Sequence, residues 1–306
     1  MSEAAFIALV VVGVQLMVPL LLASLGELIS ERAGVLNIGI EGCMALGAFF
    51  AAVAVTSTDS LIAGLALGLA VGVLTGIVLA WLYVGLGLNQ IITGLMFTIL
   101  ALGVTAALFE RYTQSAKGTL APRLPIPLLS DIPWIGEMFF DHSILVYGAV
   151  ALVPVCAWFL KGTWWGLRTT SAGENPSALD SAGYSVRLYR SIAVVIGSTL
   201  AALGGAVLVL ATSGRFVSGM TAGRGFIALG VVVVARWYPG RALLVCLLIG
   251  ITQALQFQVA AIDALESVPV DVWVALPYLA AVLAVVIGRR ARYPSATTIP
   301  WIGQKG

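Results

Sequence analysis

The stretch ERAGVLNIGIEGCMALGAFF, residues 31–50, decides how the whole chain is read. It follows a long apolar run, yet it is broken by Gly34, Gly39 and Gly42 and carries Asn37 and Glu41 within an otherwise membrane-like pattern. A second stretch, SGRFVSGMTAGRGFIALGVVVVARW at 213–237, repeats the plan: a full span, a Gly-rich entry, then a short apolar segment. The second lies five spans after the first in the order. Because five is odd, the second copy runs through the membrane in the opposite direction. Paired interrupted helices in weakly similar inverted halves point to a transport site, where freed backbone amides and helix termini can meet a polar solute. Gly-mediated close packing of ordinary helices is the competing reading, and GLALGLAVGVLTG at 64–76 displays it as well.

The surroundings of these stretches belong in a bilayer. Hydrophobic residues make up 60% of the 306, charged residues 10%, and mean hydropathy is +1.05, well above the apolar content of soluble domains. Runs of spanning length fall near 6–28, 34–57, 61–87, 88–109, 143–161, 191–212, 218–235, 241–262 and 273–288. The expectation is an all-α polytopic membrane protein of eight to ten helices, with residues 1–306 forming one transmembrane domain. MSEAAF at the start lacks the basic region of a cleaved signal peptide, so the first run is expected to stay.

Alternating the sides of successive spans, with the Arg-rich tail in the cytoplasm, places eleven of the sixteen Lys and Arg residues inside. The N-terminus then lies outside, and the polar segment 168–190 is a cytosolic loop. Residues 110–142, which include several prolines and Trp134, form a large external loop over the outer mouth.

Several chemistries are excluded. The small net charge of +2 and scattered basic residues give no nucleic-acid face. Lys117, Lys161 and Lys305 precede rather than follow glycine, so no phosphate-binding loop is present. His142 is the single histidine, placed at a loop end with no chemistry expected of it. Cys43, Cys156 and Cys246 lie in apolar runs without metal-ligand spacing and read as buried small side chains. No catalytic constellation, metal site or cofactor site emerges, and an enzyme is not expected.

Polar residues inside spans are the candidates for a solute path. These are Asn37 and Glu41 in the first interruption, Asn89, Gln90 and Thr93 opening the fourth span with Phe97 beyond them, Phe226 in the second interruption, and Gln253 and Gln256 on the eighth span. Each could equally serve an interhelical hydrogen bond, and Glu41 could pair with Arg32. In the polar segment, Asn175 suits a helix N-cap, Pro176 the first helical position and Gly183 a C-terminal stop. Ala178, Leu179 and Ala182 would line one apolar face of this two-turn helix, and Ser185 would cap the next span. So short a helix needs support, either from a groove on a cytosolic partner or from the protein's own loops.

Five segments in order, LGELISERAGVLNIGIEG (25–42), LNQIITGL (88–95), LRTTSAGENPSALDSAGYSV (167–186), AGRGFIALGVVVVARWYPGRALL (222–244) and LPYL (276–279), resemble the membrane permeases of branched-chain amino acid and simple-sugar ABC importers. The likeness is strongest to the smaller of two permeases in bacterial nucleoside importers. Where that family has small residues and a Gly before RW, this chain has Val232 to Ala235. The resemblance implies a subunit of an inward pump in a bacterial plasma membrane, paired with a second permease. It also implies an extracytoplasmic binding protein delivering solute and a cytosolic ATP-binding subunit holding ATP and Mg. In this scheme residues matching the GENP loop (Gly173, Glu174, Asn175, Pro176, Ala178, Leu179, Ala182 and Gly183) form the coupling helix that docks on the ATPase. Simple sugars or branched-chain amino acids are the alternative solutes, and a stand-alone secondary transporter is the rival from another class.

Overall fold

The structure, a computed structural model, describes residues 3–112, 120–127, 129–130, 132–259 and 293–301, together with positions 275, 279, 282 and 286. Eleven helices and one small hairpin occupy them. The helix α1 (Glu3–Arg32) runs into an irregular connection at 33–39, followed by α2 (Ile40–Thr58) and α3 (Leu61–Ala80). A π-helical turn, Trp81–Gly85, leads from α3 toward α4 (Gln90–Tyr112). Strand β1 (Arg123–Pro125), α5 (Ile135–Phe139) and β2 (Asp141–Ser143) precede α6 (Ile144–Gly162). Then come α7 (Trp164–Glu174), α8 (Pro176–Ser181) and α9 (Val186–Val207), the last continued by a π-helical turn at Leu208–Ser213. The short α10 (Arg224–Ala235) and α11 (Pro239–Val259) complete the order.

Seven of these helices are long and apolar enough to cross a membrane, and α10 is the short one between them. The span expected at 218–235 is therefore a twelve-residue helix preceded by loop, and twelve residues reach only about 18 Å. The ninth expected span, 273–288, lies almost wholly outside the described residues.

Helix α9 is the hub, packing on α1, α2 and α3. Glycine permits the closeness: a Cβ on Gly47 would collide with the carbonyl of Ala202, and one on Gly205 with the carbonyl of Met44. The packing of small residues, read from the sequence as the competing account of the glycines, thus operates here beside the helix breaks. All three cysteines are free and buried.

The described part of the segment 110–142, expected as an external loop, is ordered by pairing. Strands β1 and β2 are antiparallel with Leu124 opposite His142, Arg123 pairs with Asp141 at 3.5 Å, and α5 packs on α1. His142 is more than a loop residue. It is fully buried, and its Nε2 lies 2.9 Å from the carbonyl of Met138, which that nitrogen reaches by donating a proton. Burial holds the imidazole pKa below its ordinary value, outweighing the favourable Met138 carbonyl. A histidine buried neutral stabilises the fold fully above its unfolded pKa, and that stability drains away as pH falls through about 6.5. The protection of amides at 135–143 against exchange, corrected for the intrinsic pH dependence of exchange, should fall below that pH, and His142→Asn should flatten the dependence while lowering protection at neutral pH.

Candidate translocation and coupling sites

The two interruptions expected from the sequence face each other across the bundle. Helix α10 begins inside the protein after the Gly-rich loop, so its first amides have no intrahelical partner. Glu41, on the first turn of α2 and nearly fully buried, supplies one: its Oε1 accepts from the Gly223 amide at 2.9 Å and its Oε2 from the Gly225 amide at 2.6 Å. The positive end of the α10 dipole favours this carboxylate. Gly225 has to be glycine here, because a Cβ would come within 2.6 Å of the Glu41 Cα. The alternative Glu41–Arg32 pair is therefore not formed, and in this conformation these α10 amides are occupied by the chain itself rather than left open for solute.

The other end of α10 is gripped from the same region. Trp237 donates its indole N–H to Glu31 Oε2 at 2.6 Å, and Arg32 donates to the Trp237 carbonyl at 3.3 Å. Arg236 and Trp237 both take left-handed backbone conformations, φ 52° and 58°, to make that turn. Val232, where the family resemblance departs, packs with Leu28 and Trp237 in a small buried cluster. The half-length helix is thus fixed at its start by α2 and at its finish by α1.

The connection 33–39 is held by side chains from every neighbour. Glu27 accepts the Asn37 amide at 2.9 Å, Gln90 accepts the Leu36 amide at 2.9 Å, and Thr98 donates to the Ile38 carbonyl at 3.4 Å. The Asn37 side chain is fully enclosed, donating to Ser198 at 3.1 Å and accepting from Tyr83 at 3.3 Å. Asn89 turns back on its own helix as a cap, accepting from the amides of Ile91 and Ile92. Thr93 is half-buried one turn further on, and Phe97 packs its ring against Gly39 and Gly42. Phe226 is 40% exposed at the start of α10. Gln253 and Gln256 stand apart on α11, which packs on α1, α6 and α10; the buried Gln253 Oε1 has no hydrogen-bond partner among the described residues.

Glu27, Glu31 and Trp237 were not singled out in the sequence, although a signal existed. Two acids one helical turn apart and an adjacent arginine, in an otherwise uncharged span, must be held by something. Arg190 offered no such hint. It is almost completely buried and donates to the carbonyls of Ile299, Ala172 and Ala296 at 2.7, 3.1 and 3.4 Å.

At this end of the bundle the segment read as a loop is mostly helical, since α7 already covers 164–174 with Thr163 as its N-cap. The expected caps of α8 are present: Asn175 accepts from the Ala178 amide at 3.0 Å, Pro176 opens the helix, Gly183 sits at φ 80°, and Ser185 caps α9. Leu179, expected beside Ala178 and Ala182, borders the same groove as they do but from its buried floor. It is buried against Ala172, Val186 and Tyr189, with Trp301 alongside. Ala178 and Ala182 remain exposed and help line a groove of about 330 Å³ with Trp164, Leu167 and Glu174. Gly173 lies against the end of α1, where a Cβ would strike the Arg32 carbonyl. Residues 293–301 strap this corner, with Ala296 donating to Gly173, Thr298 to Gly34, and the Ser295 hydroxyl to Glu174.

The bundle thus holds a short helix clamped by a buried carboxylate and, separately, a capped helix beside an open groove. The model of the branched-chain amino acid transport system permease component matches residues 9–287. The chain belongs to this family. The permease is 40% identical over 249 residues to a putative glucose ABC transporter permease, TsgC13, of Haloferax volcanii, covering 80% of this chain and 75% of that one. It is 32% identical to the nucleoside ABC transporter permease NupC of Lactococcus lactis and 33% identical to the guanosine ABC transporter permease NupQ of Bacillus subtilis, each over 94% of both chains. No solved structure matches. The permease is thus an ABC transporter subunit that spans the membrane several times.

Removing the clamp tests its weight. A hydrogen bond to a charged group contributes about 1.5–3 kcal/mol, so Glu41→Ala should lower the unfolding midpoint of the purified permease by several degrees. Glu41→Gln, which keeps an acceptor without charge, should fall between. The readout is thermal denaturation followed by intrinsic fluorescence.

Proposed function

We propose that the permease is one of two membrane subunits of an ABC importer that carries nucleosides into the cell across the plasma membrane. A second, homologous permease completes the path, an extracytoplasmic binding protein delivers solute, and ATP with Mg is hydrolysed on a cytosolic partner that docks at α7 and α8. The observation that carries this reading is the groove beside α8. A helix of six residues is capped at both ends and anchored from behind by Leu179. Its exposed side, with Trp164 at 74% and Leu167 at 55% exposure, presents apolar surface to a partner. The elements that the positive-inside count assigns to the cytosol, near Arg32, Lys161, Arg190 and Tyr238, meet at this same end.

The nucleoside reading rests on the two relatives matched along nearly the whole chain. The glucose relative keeps a sugar as the second reading. Both solutes share a ring of hydroxyls suited to Asn, Gln and Thr side chains, and a base adds a flat face. We assign Asn89, Thr93, Phe97, Phe226, Gln253 and Gln256 to the path. Asn37, Glu41 and Gln90 border it and join it when the clamp on α10 rearranges.

Two measurements test the reading. In proteoliposomes containing the whole complex, uptake of labelled adenosine should be blocked by excess guanosine and unaffected by excess glucose; the reverse pattern assigns the sugar. Ala178→Asp puts a charge into the groove without disturbing the interior, and an unpaired buried charge costs a few kcal/mol. The ATPase should then dissociate or lose stimulation by loaded binding protein, with the unfolding midpoint unchanged. Leu179→Asp should instead lower that midpoint, because Leu179 faces inward. Full stimulation of Ala178→Asp would remove the groove from the coupling interface.

A further inference from the structure

A second cleft opens at the same end of the bundle, between the ends of α1, α6, α10 and α11. Its volume is about 200 Å³, and Arg32, Leu160, Lys161, Thr170, Trp237 and Tyr238 line it. Two cations, Arg32 and Lys161, line it, and a third, Arg241, shares the Tyr238 ring with Lys161. Lys161 Nζ lies 4.7 Å from the centre of the Tyr238 ring, and the guanidinium carbon of Arg241 lies 4.7 Å from the centre of the same ring. Arg32 reaches the adjoining Trp237 carbonyl. Among the described residues no carboxylate lies within ion-pair distance of any of the three, although Glu174 is near enough to Arg32 to favour its charge, which leaves Lys161 and Arg241 as the uncompensated pair. Two like charges sharing one aromatic ring repel each other, and an anion seated between them would turn that repulsion into attraction.

What lies beyond the cations identifies the anion. On α11, positions 241, 244 and 248 follow one helical stripe, so Arg241 heads a line continued by Leu244 and Leu248, exposed at 61% and 65%. On α6, Trp158 stands one turn before Lys161 and is also widely exposed. The cleft therefore has a charged mouth at the membrane surface and an apolar strip running away from it, with aromatic rings at the boundary. A free phosphate would satisfy the cations and leave the strip bare. A molecule with an anionic head and apolar tails covers both, and basic pockets between helices on the cytosolic side suit such headgroups.

We propose that this cleft is a binding site for an anionic phospholipid, its phosphate held by Lys161, Arg241 and Arg32 and its acyl chains laid along Leu244, Leu248 and Trp158. Because Arg32 and Trp237 also close the far end of the α10 clamp, the lipid braces the corner where that helix finishes.

The test uses the full chain in its complex, reconstituted in equal parts of phosphatidylglycerol and phosphatidylcholine, then re-extracted and washed, with retained phospholipid measured by mass spectrometry. The wild type should keep phosphatidylglycerol over phosphatidylcholine by on the order of tenfold, and Lys161→Gln with Arg241→Gln should abolish the preference. Arg241→Gln alone, at the exposed rim, should reduce it without affecting assembly. Leu244→Gln with Leu248→Gln should also reduce it, since the tails lose their strip. Millimolar inorganic phosphate added during the wash should leave the preference intact. Equal retention by wild type and the double cation variant overturns the site. Loss of the preference to inorganic phosphate, with the leucine variants unaffected, assigns the cations to a soluble anion and likewise overturns the lipid.

Discussion

The bond between the Glu41 carboxylate and the amides of Gly223 and Gly225 is the constraint on which this architecture turns. Hydrocarbon offers backbone amides no partner, so a helix that begins at membrane depth needs one from protein. Helix α10 covers only about 18 Å of a hydrocarbon layer roughly 30 Å thick, and it is tolerated because the first interrupted segment meets it at both ends. Neither interruption is a local defect. Each supplies what the other lacks, and the bond joins residues from opposite halves of the chain.

Around that bond the bundle is made close by small residues and rigid by buried polar ones. Helix α9 approaches α1, α2 and α3 at glycines, which brings Ser198 within reach of Asn37. The connection 33–39 is thereby fixed by side chains from α1, α4 and α9 and by Tyr83 from the π-helical turn. A network with so many of its groups paired, the second oxygen of Glu27 excepted, has few intermediate arrangements. Movement of α10 would exchange one set of partners for another, as alternating access requires.

Much of this was legible in the sequence. The long runs became α1, α3, α4, α6, α9 and α11, because hydropathy over about twenty residues reports a property of the whole segment. Asn175, Pro176, Gly183 and Ser185 took their expected places because capping is local chemistry. Glu41 shows where that reach ends. Its partner could be Arg32, nine residues away, or an amide 182 residues away, and only the packing of α2 on α10 decides. Leu179 is a similar case: a two-turn helix has an apolar side, but which body covers that side depends on where α7 and residues 293–301 lie. Arg190 gave no signal, since its partners are backbone carbonyls, which every residue possesses.

Those carbonyls give the strap at 293–301 a further meaning. Two of the three that hold Arg190 belong to Ala296 and Ile299, in a segment that follows α1 to α11 in the chain. Without it, Arg190 is a charge destined for burial with Ala172 alone to receive it, a state that costs several kcal/mol. The same segment bonds Gly34 and Gly173, so it joins the first connection of the chain to the corner behind the groove. The corner can thus settle only once residues 293–301 lie across it; without them Arg190 keeps the Ala172 carbonyl alone. The buried arginine makes the order of the wall behind the groove depend on a strap more than a hundred residues away in the chain.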